Sequence, residues 1–237
     1  NFTAIAEGST ILVDFNKLDP ATVTDSVLIG SVTNGVRTGF KKFEESNTLF
    51  GYAPKILICP TYCENDAVAA EMIVQADKLR AITIIDAPET TAINVAIAGR
   101  GPSGTLAGFQ TSNKRAQLVY PYLKAYDPAT ETSVNRPYSP FLAGVMSAYP
   151  NYWESSSNKE IKGITGVERV ITAALNDENS EANQLNEVGI STLFSSFGTG
   201  TRTWGNRGAG FPSEAGADVL LPPASIVVTL TGCASVI

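Results

Sequence analysis

The chain has 237 residues, of which 43% are hydrophobic and 17% charged, a composition that fits one globular domain with appendages. Its formal net charge of −6 argues against a nucleic-acid surface, and no apolar run approaches the roughly 20 residues that span a bilayer. The count of zero histidines excludes Ser-His-Asp and Cys-His catalysis, His-ligated zinc and the facial iron triad.

Local patterns predict the elements of the first half of the chain. Apolar spacing and stop signals favour, in order, a strand over 9–15, helices over 23–30 and 37–50, a strand over 55–59, a helix over 66–79 and a strand over 81–85. Pro60 ends the strand before the third helix, Asp66 can cap that helix, and Asp86 ends the strand after it. A strand, a helix and a strand of these lengths indicate a right-handed parallel βαβ unit.

The second half of the chain continues the alternation. The same signals favour helices over 91–98, 139–148 and 181–188, and strands over 116–120, 190–197 and 225–231. The sequence therefore predicts an α/β fold whose mixed, largely parallel β-sheet is flanked by helices. The last run, SIVVTLT, has neither charge nor proline, so we expect it to pair with this domain's sheet or with a neighbouring copy.

A glycine-rich run from Gly99 to Gly104 satisfies the G-x-G-x-x-G pattern of nucleotide-binding loops. Such a loop works where it leaves a strand and enters a helix, because the helix N-terminal amides hold the phosphates. Here residues 91–98 are predicted to be helical, Pro102 interrupts the run, and Thr105 stands where the phosphate-binding lysine belongs. We therefore interpret the run as a surface connection, and we expect no cofactor.

Carboxylates supply the remaining candidates, because carboxylate-pair and magnesium-dependent mechanisms need no histidine. Asp86 ends a predicted strand, and strand-end carboxylates of α/β folds border the ligand crevice, although a cap on the turn at Pro88 is the favoured interpretation. Asp177, Glu178 and Glu181 lie close together in the sequence. Their spacing departs from the calcium loop, and the neighbouring asparagines indicate a capped helix start.

The cysteines and serines offer no catalytic group. Cys59, Cys63 and Cys233 are odd in number and lack the spacing of a disulfide framework or a zinc site, so we expect reduced thiols, with Cys59 buried in a strand. The serines at 155–157 are interpreted as a helix cap or turn. Asn1-Phe-Thr3 fits a glycosylation acceptor, but nothing else indicates secretion. No catalytic, cofactor-binding or metal-binding residue is predicted.

Two further runs, 158–167 (NKEIKGITGV) and 204–207 (WGNR), fit no catalytic scheme but resemble signatures of contractile bacteriophage tail sheath proteins. Shorter matching stretches recur in order between about residues 10 and 212: RTGF at 37–40, FGYAPKILICP at 50–60, KLRAI at 78–82, IDAP at 85–88, RA at 115–116, YP at 120–121, YD at 126–127, AGV at 143–145 and LNE at 185–187. Their shared order argues against chance, and by this resemblance the chain is identified as a member of the tail sheath family.

The resemblance implies a structural subunit and not an enzyme. Such subunits stack in helical rings around a tail tube in the virion, are joined by extended arms from neighbouring copies, and shorten on host contact. Implied partners are other sheath subunits and the tail tube, baseplate and tail terminator proteins, with assembly in the bacterial host cytoplasm and neither nucleic-acid binding nor membrane insertion. A phage or prophage tail is favoured over a phage-tail-like bacteriocin (tailocin), and a type VI secretion sheath is a more distant option.

The chain also departs from the family pattern. The family's N-terminal arm and first strands are absent, and residues 215–237 do not resemble the basic strand and helical domain that normally follow. We therefore expect residues 1–33 to be a strand and linker left from an adjoining domain, residues 34–212 to be the sheath core domain, and residues 213–237 to be a divergent tail with a strand. A core-domain fragment, a truncated relative, or a chain whose last segment performs another function would have this organisation.

A competing hypothesis from another class is a carboxylate- or magnesium-dependent hydrolase on an α/β core. An open pocket converging on Asp86 with a bound ion would favour the hydrolase. A solid domain with repeating lateral contacts would favour the sheath subunit.

Overall fold

The computed structural model describes residues 22–101, 103–148, 155–174, 177–196 and 198–211. Within these ranges the α-helices are α1 (Asp25–Ile29), α2 (Ser46–Phe50), α3 (Asp66–Leu79), α4 (Ile93–Ala98), α5 (Ser139–Ala148) and α6 (Glu181–Glu187). The strands are β1 (Val32–Thr33), β2 (Val36–Arg37), β3 (Ile56–Ile58), β4 (Ile82–Asp86), β5 (Ala116–Val119), β6 (Leu123–Asp127), β7 (Thr132–Arg136), β8 (Gly166–Val167), β9 (Ile190–Ser196) and β10 (Gly200–Trp204). The expected strands over 9–15 and 225–231 lie outside the described residues. No helix of the described ranges is long and apolar enough to cross a membrane.

The main sheet has five strands in the order β10-β9-β5-β4-β3. Strands β3, β4, β5 and β9 run parallel, and β10 lies antiparallel to β9. Helix α3 connects β3 to β4 and packs on both, so the predicted parallel βαβ unit is confirmed. The predicted α/β class, with a mixed and largely parallel sheet, is confirmed as well.

Apolar side chains cover both faces of the main sheet. Ile84 and Ile85 belong to different clusters, because successive side chains of a strand point to opposite faces. On one face the core joins the sheet to α3, α4 and α6 through Val68, Met72, Ile85, Ile93, Leu118, Leu185 and Ile190. On the other face it joins the sheet to α5 and β6 through Ile84, Val119, Leu123, Leu142 and Leu193. The sheet is therefore enclosed from both sides, as a largely parallel sheet requires.

A second, smaller sheet has the strand order β7-β6-β8. Strands β6 and β7 form an antiparallel hairpin, whose turn carries Glu131 at a φ of 54°. The sequence patterns do not predict this hairpin, because its strands carry few apolar residues and Tyr126 is exposed. Leu123 is the residue of β6 that enters the core.

The prediction of one continuous α-helix over 37–50 is wrong. A 3-10 helix occupies Gly39–Glu45, and α2 follows it. The backbone of Gly39 has a φ of 57° and lies against the carbonyl oxygen of Leu28, where a Cβ atom would clash. A regular helix therefore cannot begin at Arg37 and pass through this residue.

The predicted cap of α3 is displaced by one residue. Asn65, in an extended conformation, accepts a hydrogen bond from the Ala67 amide at 2.9 Å and is the N-cap. Asp66 lies in the first helical turn instead, where a negative charge interacts favourably with the helix dipole.

Candidate functional site

The crevice at the carboxyl ends of the parallel strands is the place where an α/β fold normally binds a ligand. Asp86, at the end of β4, is only 1% exposed. Its Oδ1 accepts a hydrogen bond from the Ser139 amide at 2.7 Å, and its Oδ2 accepts from the Ser139 hydroxyl and from the Cys63 thiol. The start of α5 therefore occupies the position that a ligand would need.

This contact corrects the role expected for Asp86. Asp86 does not cap the turn at Pro88. The Thr91 hydroxyl does so, because it donates to the Pro88 carbonyl oxygen at 2.6 Å. The carboxylate instead anchors α5, which begins 53 residues later in the chain. Ser139-Pro140 is an ordinary helix-start signal, but nothing local in the sequence reveals that Asp86 is its partner.

Burial dominates the electrostatics of Asp86. It raises the pKa of this carboxyl group from 3.8 to about 6, although the hydrogen bonds from Ser139 and Cys63 lower it. Burial also raises the pKa of the Cys63 thiol well above its ordinary value, and the neighbouring Asp86 charge adds to this effect. At neutral pH the pair is thus a carboxylate held by a protonated thiol, which is a structural arrangement and not an activated nucleophile.

Further side chains fill the rim of the crevice. The Tyr122 hydroxyl donates to the Glu64 carboxylate. Glu168 accepts hydrogen bonds from the backbone amides of Thr90, at 2.6 Å, and Tyr122, at 3.3 Å. Three surface hollows, of about 450, 540 and 400 Å³, lie elsewhere, and Asp86 lines none of them.

The glycine-rich run follows α4 and leads to a one-turn 3-10 helix at Ala107–Phe109, so it does not connect a strand to an α-helix as a phosphate-binding loop does. Gly99 and Gly101 are buried, which makes the run more than the surface connection that we expected. The second residue of the run, Arg100, belongs to no candidate site that the sequence predicts. The Arg100 guanidinium donates to four backbone carbonyl oxygens, those of Thr111, Val188, Ala209 and Phe211.

The acidic cluster before α6 makes local turn and cap contacts. Glu181 accepts hydrogen bonds from the Thr172 amide at 2.8 Å and from its hydroxyl, and Asp177 accepts from the Asn179 amide. Within the described part of the chain, no group of three or more cysteine, aspartate and glutamate residues could hold a metal ion. The N-cap residue of α6, Ser180, makes no side-chain cap hydrogen bond, and the Thr172 hydroxyl accepts from the Glu181 amide at 3.3 Å instead.

The remaining candidates are also structural. Cys59 and Cys63 are buried and not joined in a disulfide, and Cys59 lies one residue beyond β3. The Ser155 hydroxyl accepts from the Ser157 amide, and the Ser157 hydroxyl accepts from the Gly205 amide at 3.1 Å. The serine run thus forms a turn, as expected. Cys233 and Asn1 lie outside the described residues.

The run 158–167 joins the two sheets, and we call it the bridging segment. At one end, the Asn158 amide donates to the Thr203 carbonyl oxygen at 2.8 Å, and the Ile161 amide donates to that of Thr201 at 2.9 Å, both on β10. At the other end, the Thr165 amide donates to the Lys124 carbonyl oxygen, and β8 pairs with β6. This segment therefore links the edge of the main sheet to the smaller sheet.

The run 204–207 begins at the last residue of β10, the edge strand of the main sheet. Trp204 packs edge-on against Phe194, with 5.2 Å between the ring centroids. The Arg207 guanidinium lies 4.0 Å from the centre of the Phe211 ring and forms an ion pair with Glu187 at 3.0 Å. Residues of both signature runs therefore make structural contacts at the β10 edge of the main sheet.

Comparison with known proteins identifies the family. Residues 38–209 match the family described as the phage tail sheath protein central domain. The chain is 45% identical over 203 residues to the tail sheath protein of Burkholderia phage BcepMu, covering 84% of this chain and 42% of that protein. It is 37% identical over 186 residues to a putative prophage major tail sheath protein of Pseudomonas aeruginosa strain UCBPP-PA14, covering 77% and 45%.

Solved structures show the same fold at lower identity. A chain of the anti-feeding prophage baseplate has a TM-score of 0.53 at 18% identity, with coverage of 76% of this chain and 44% of that one. A chain of the contracted PVC sheath complex, an extracellular contractile injection system, has a TM-score of 0.54 at 20% identity, with coverage of 78% and 47%. The chain spans less than half the length of the relatives that it matches. By the match of residues 38–209, the chain belongs to the phage tail sheath protein family and contains its central domain.

Proposed function

We propose that this chain is a structural subunit of a contractile tail sheath, which assembles as helical rings around a tail tube and shortens to drive the tube into a host envelope. The observation that carries the proposal is the match of residues 38–209 to the sheath central domain. The filled crevice at Asp86 supports it, because a small-molecule enzyme needs a concave site that its substrate can enter.

The proposed partners are other sheath subunits, the tail tube protein, and the baseplate and tail terminator proteins. The proposed location is the tail of a virion assembled in the cytoplasm of a bacterial host. For the organisation of the chain we propose a sheath core over 34–212, preceded by a remnant of an adjoining domain over 1–33 and followed by a divergent tail over 213–237.

Electron microscopy tests the proposal directly. Gold-labelled antibodies against the chain should decorate the outside of tails along their whole length, in both extended and shortened particles from the cells that make the protein. Label confined to the tail tip or to the head would reject the sheath assignment.

The proposed function includes the absence of catalysis. Broad hydrolase and nucleotidase screens of the pure protein are expected to give background rates, because Asp86 is sealed by Ser139 and Cys63. Turnover that disappears in Asp86→Asn would instead favour the carboxylate-dependent hydrolase.

A further inference from the structure

Cationic side chains lie at the edge of the main sheet where its parallel strands begin. Arg80 comes shortly before β4, and Lys114 and Arg115 directly precede β5. Arg80 and Lys114 are exposed, and Arg115 is half-buried. Within the described residues, none of these three side chains makes an ion pair or a hydrogen bond. The exposed carboxylate at this end, Asp77 in the last turn of α3, accepts a hydrogen bond from the Asn113 side-chain amide at 2.9 Å and pairs with none of the three cations, so they remain open to a partner's carboxylates.

Exposed apolar side chains lie at the same end of the sheet. Leu49 is 58% exposed, Phe50 66% and Tyr52 38%, on α2 and the loop that leads into β3. An ion pair between Glu44 and Lys78, at 2.6 Å, fixes the preceding 3-10 helix beside the end of α3. Aromatic residues together with arginine are the composition enriched in protein interfaces. We call this surface the basic edge: Leu49, Phe50, Tyr52, Arg80, Lys114 and Arg115.

Carboxylates gather at the opposite edge, where the strands end. Glu64 follows β3 and Glu89 follows β4, and the proximity of Glu89 contributes, after burial, to raising the pKa of Glu64. Glu168 packs against Tyr122, just beyond β5. Among the described residues these three carboxylates form no ion pair. We call this surface the acidic edge: Glu64, Glu89, Glu168, Val170, Asp177 and Glu178.

Val170 and the last two carboxylates belong to the same edge. Val170 is 75% exposed and follows Glu168 in the chain. Asp177 and Glu178 precede α6, whose Glu181 is near enough to Tyr120, at the end of β5, to affect the pKa of its hydroxyl. Arg169 is a cation of this edge and lies beside the same hydroxyl group.

Helix dipoles explain only part of this separation of charge. They favour acidic residues at helix starts, such as Asp66 and Glu181, and basic residues at helix ends, such as Lys78. Glu89 and Lys114 lie in connections outside the helices, so the dipoles do not account for them.

We propose that the basic edge of one copy docks on the acidic edge of a second copy of this chain, in a head-to-tail contact. The two edges lie at opposite ends of the same strands, so a single copy cannot join them. A two-fold pair would place like charges together, whereas a head-to-tail contact repeats and generates rings or helical filaments. The inference rests on the proposed function and assigns the surfaces that its self-association would use.

Charge reversal with rescue tests the contact in the full chain. Variant one is Lys114→Glu with Arg115→Glu, and variant two is Glu89→Lys with Glu178→Lys. Sedimentation equilibrium should show association about tenfold weaker, or more, for either variant alone, because like charges then face each other. An equimolar mixture of the two variants should restore association, since the reversed edges are complementary. This restoration separates a lost contact from a misfolded variant.

A control and the salt dependence complete the test. Lys162→Glu reverses a single exposed charge in the bridging segment, at a residue that belongs to neither edge, and should leave association unchanged. Wild-type association should weaken as salt rises, because exposed charges are screened. A monomeric wild-type chain, unchanged association of either variant, or a mixture without rescue would overturn the contact. In each of those cases the proposed sheath function would still be supported if gold-labelled antibodies decorate the tail along its length.

Discussion

Asp86 holds a negative charge in the interior of the protein because three donors reach it: the amide and hydroxyl of Ser139 and the thiol of Cys63. Burial of a carboxylate is unfavourable, and the hydrogen bonds only partly offset it, as the pKa of about 6 indicates. The residue therefore fixes the position of α5 at a cost in stability.

Replacing Asp86 by asparagine removes this charge with little change in shape. The folded protein binds the Asp86 proton more tightly than the unfolded chain does, so the associated stability is fully present below about pH 3.8 and is lost as pH rises through about 6. Urea unfolding of both proteins across this range should show the wild type losing about 3 kcal/mol relative to Asp86→Asn. If instead the wild type became more stable relative to Asp86→Asn as pH rises, the hydrogen bonds to the carboxylate would outweigh the unfavourable effect of its burial.

At the scale of secondary structure, the bridging segment determines how the two sheets are held together. It has little regular structure of its own, and its backbone amides find partners on β10 and β6. Thr203 is central to the contact with β10: it is 2% exposed, and its hydroxyl accepts from the Lys159 amide at 2.9 Å and donates to the Ser156 carbonyl oxygen. Side-chain and backbone hydrogen bonds together replace a regular strand pairing here.

Thr203→Val keeps the shape of this side chain and removes its hydrogen bonds. We expect a loss of about 1–3 kcal/mol in the free energy of unfolding, because the Lys159 amide and the Ser156 carbonyl oxygen lose a buried partner. Thr201→Val on the same strand is the matched control, since the Thr201 hydroxyl contacts that of Ser195 in an exposed position. Faster hydrogen exchange at Asn158–Ile161 in the first variant only would confirm the assignment; equal effects would contradict it.

The two strands of the βαβ unit, β3 and β4, should tolerate truncation of their buried side chains poorly. Leu57 is 5% exposed and Ile84 is fully buried, so Leu57→Ala and Ile84→Ala should each lower the free energy of unfolding by about 2–5 kcal/mol. Val74→Ala, at a 45% exposed position of α3, should change it by about 0.5 kcal/mol or less. Guanidinium denaturation of the three variants makes the comparison. A small effect at Ile84 would contradict the buried position of β4.

The βαβ unit could be predicted from sequence because its signals are local. Apolar runs, Pro60 and the stripe on α3 lie within a few residues of the elements that they define. The hairpin of β6 and β7 could not, since its strands are half-exposed and lack clear alternation. The hydrogen bonds that bury Asp86 could not be predicted for another reason. Its partner Ser139 is 53 residues away in the sequence, and each residue alone fits an ordinary surface role.

At the scale of the whole molecule, Arg100 connects parts of the chain that are far apart in sequence. Its guanidinium donates to carbonyl oxygens just before β5, just before β9 and at the end of the described residues, those of Thr111, Val188, Ala209 and Phe211. Arginine suits this position because its planar group presents five donors. Nothing local in the sequence indicates this role, because the residue stands in a run that resembles a phosphate-binding loop.

Arg100→Met should therefore loosen the last described residues as well as lower stability. We expect a loss of about 2–4 kcal/mol, because several backbone carbonyl oxygens lose a charged donor. Limited proteolysis should cut sooner near Ala209. Lys162→Met is the control: this exposed side chain makes no hydrogen bond within the described residues and belongs to neither edge, so the stability should stay within about 0.5 kcal/mol of wild type. Identical behaviour of the two variants would contradict the role of Arg100.

The order of the strands in the main sheet has a consequence for synthesis on the ribosome. β5 pairs with β9, and 72 residues separate Leu118 from its partner Ile190. At about 5–20 residues per second, the nascent chain exposes the free edge of β5 for about 4–14 s before its partner is made. During that interval a half-built sheet with an apolar edge can pair with another nascent chain. High-level expression should therefore favour misassembly, and slower translation or a chaperone that covers this edge should raise the yield of folded protein.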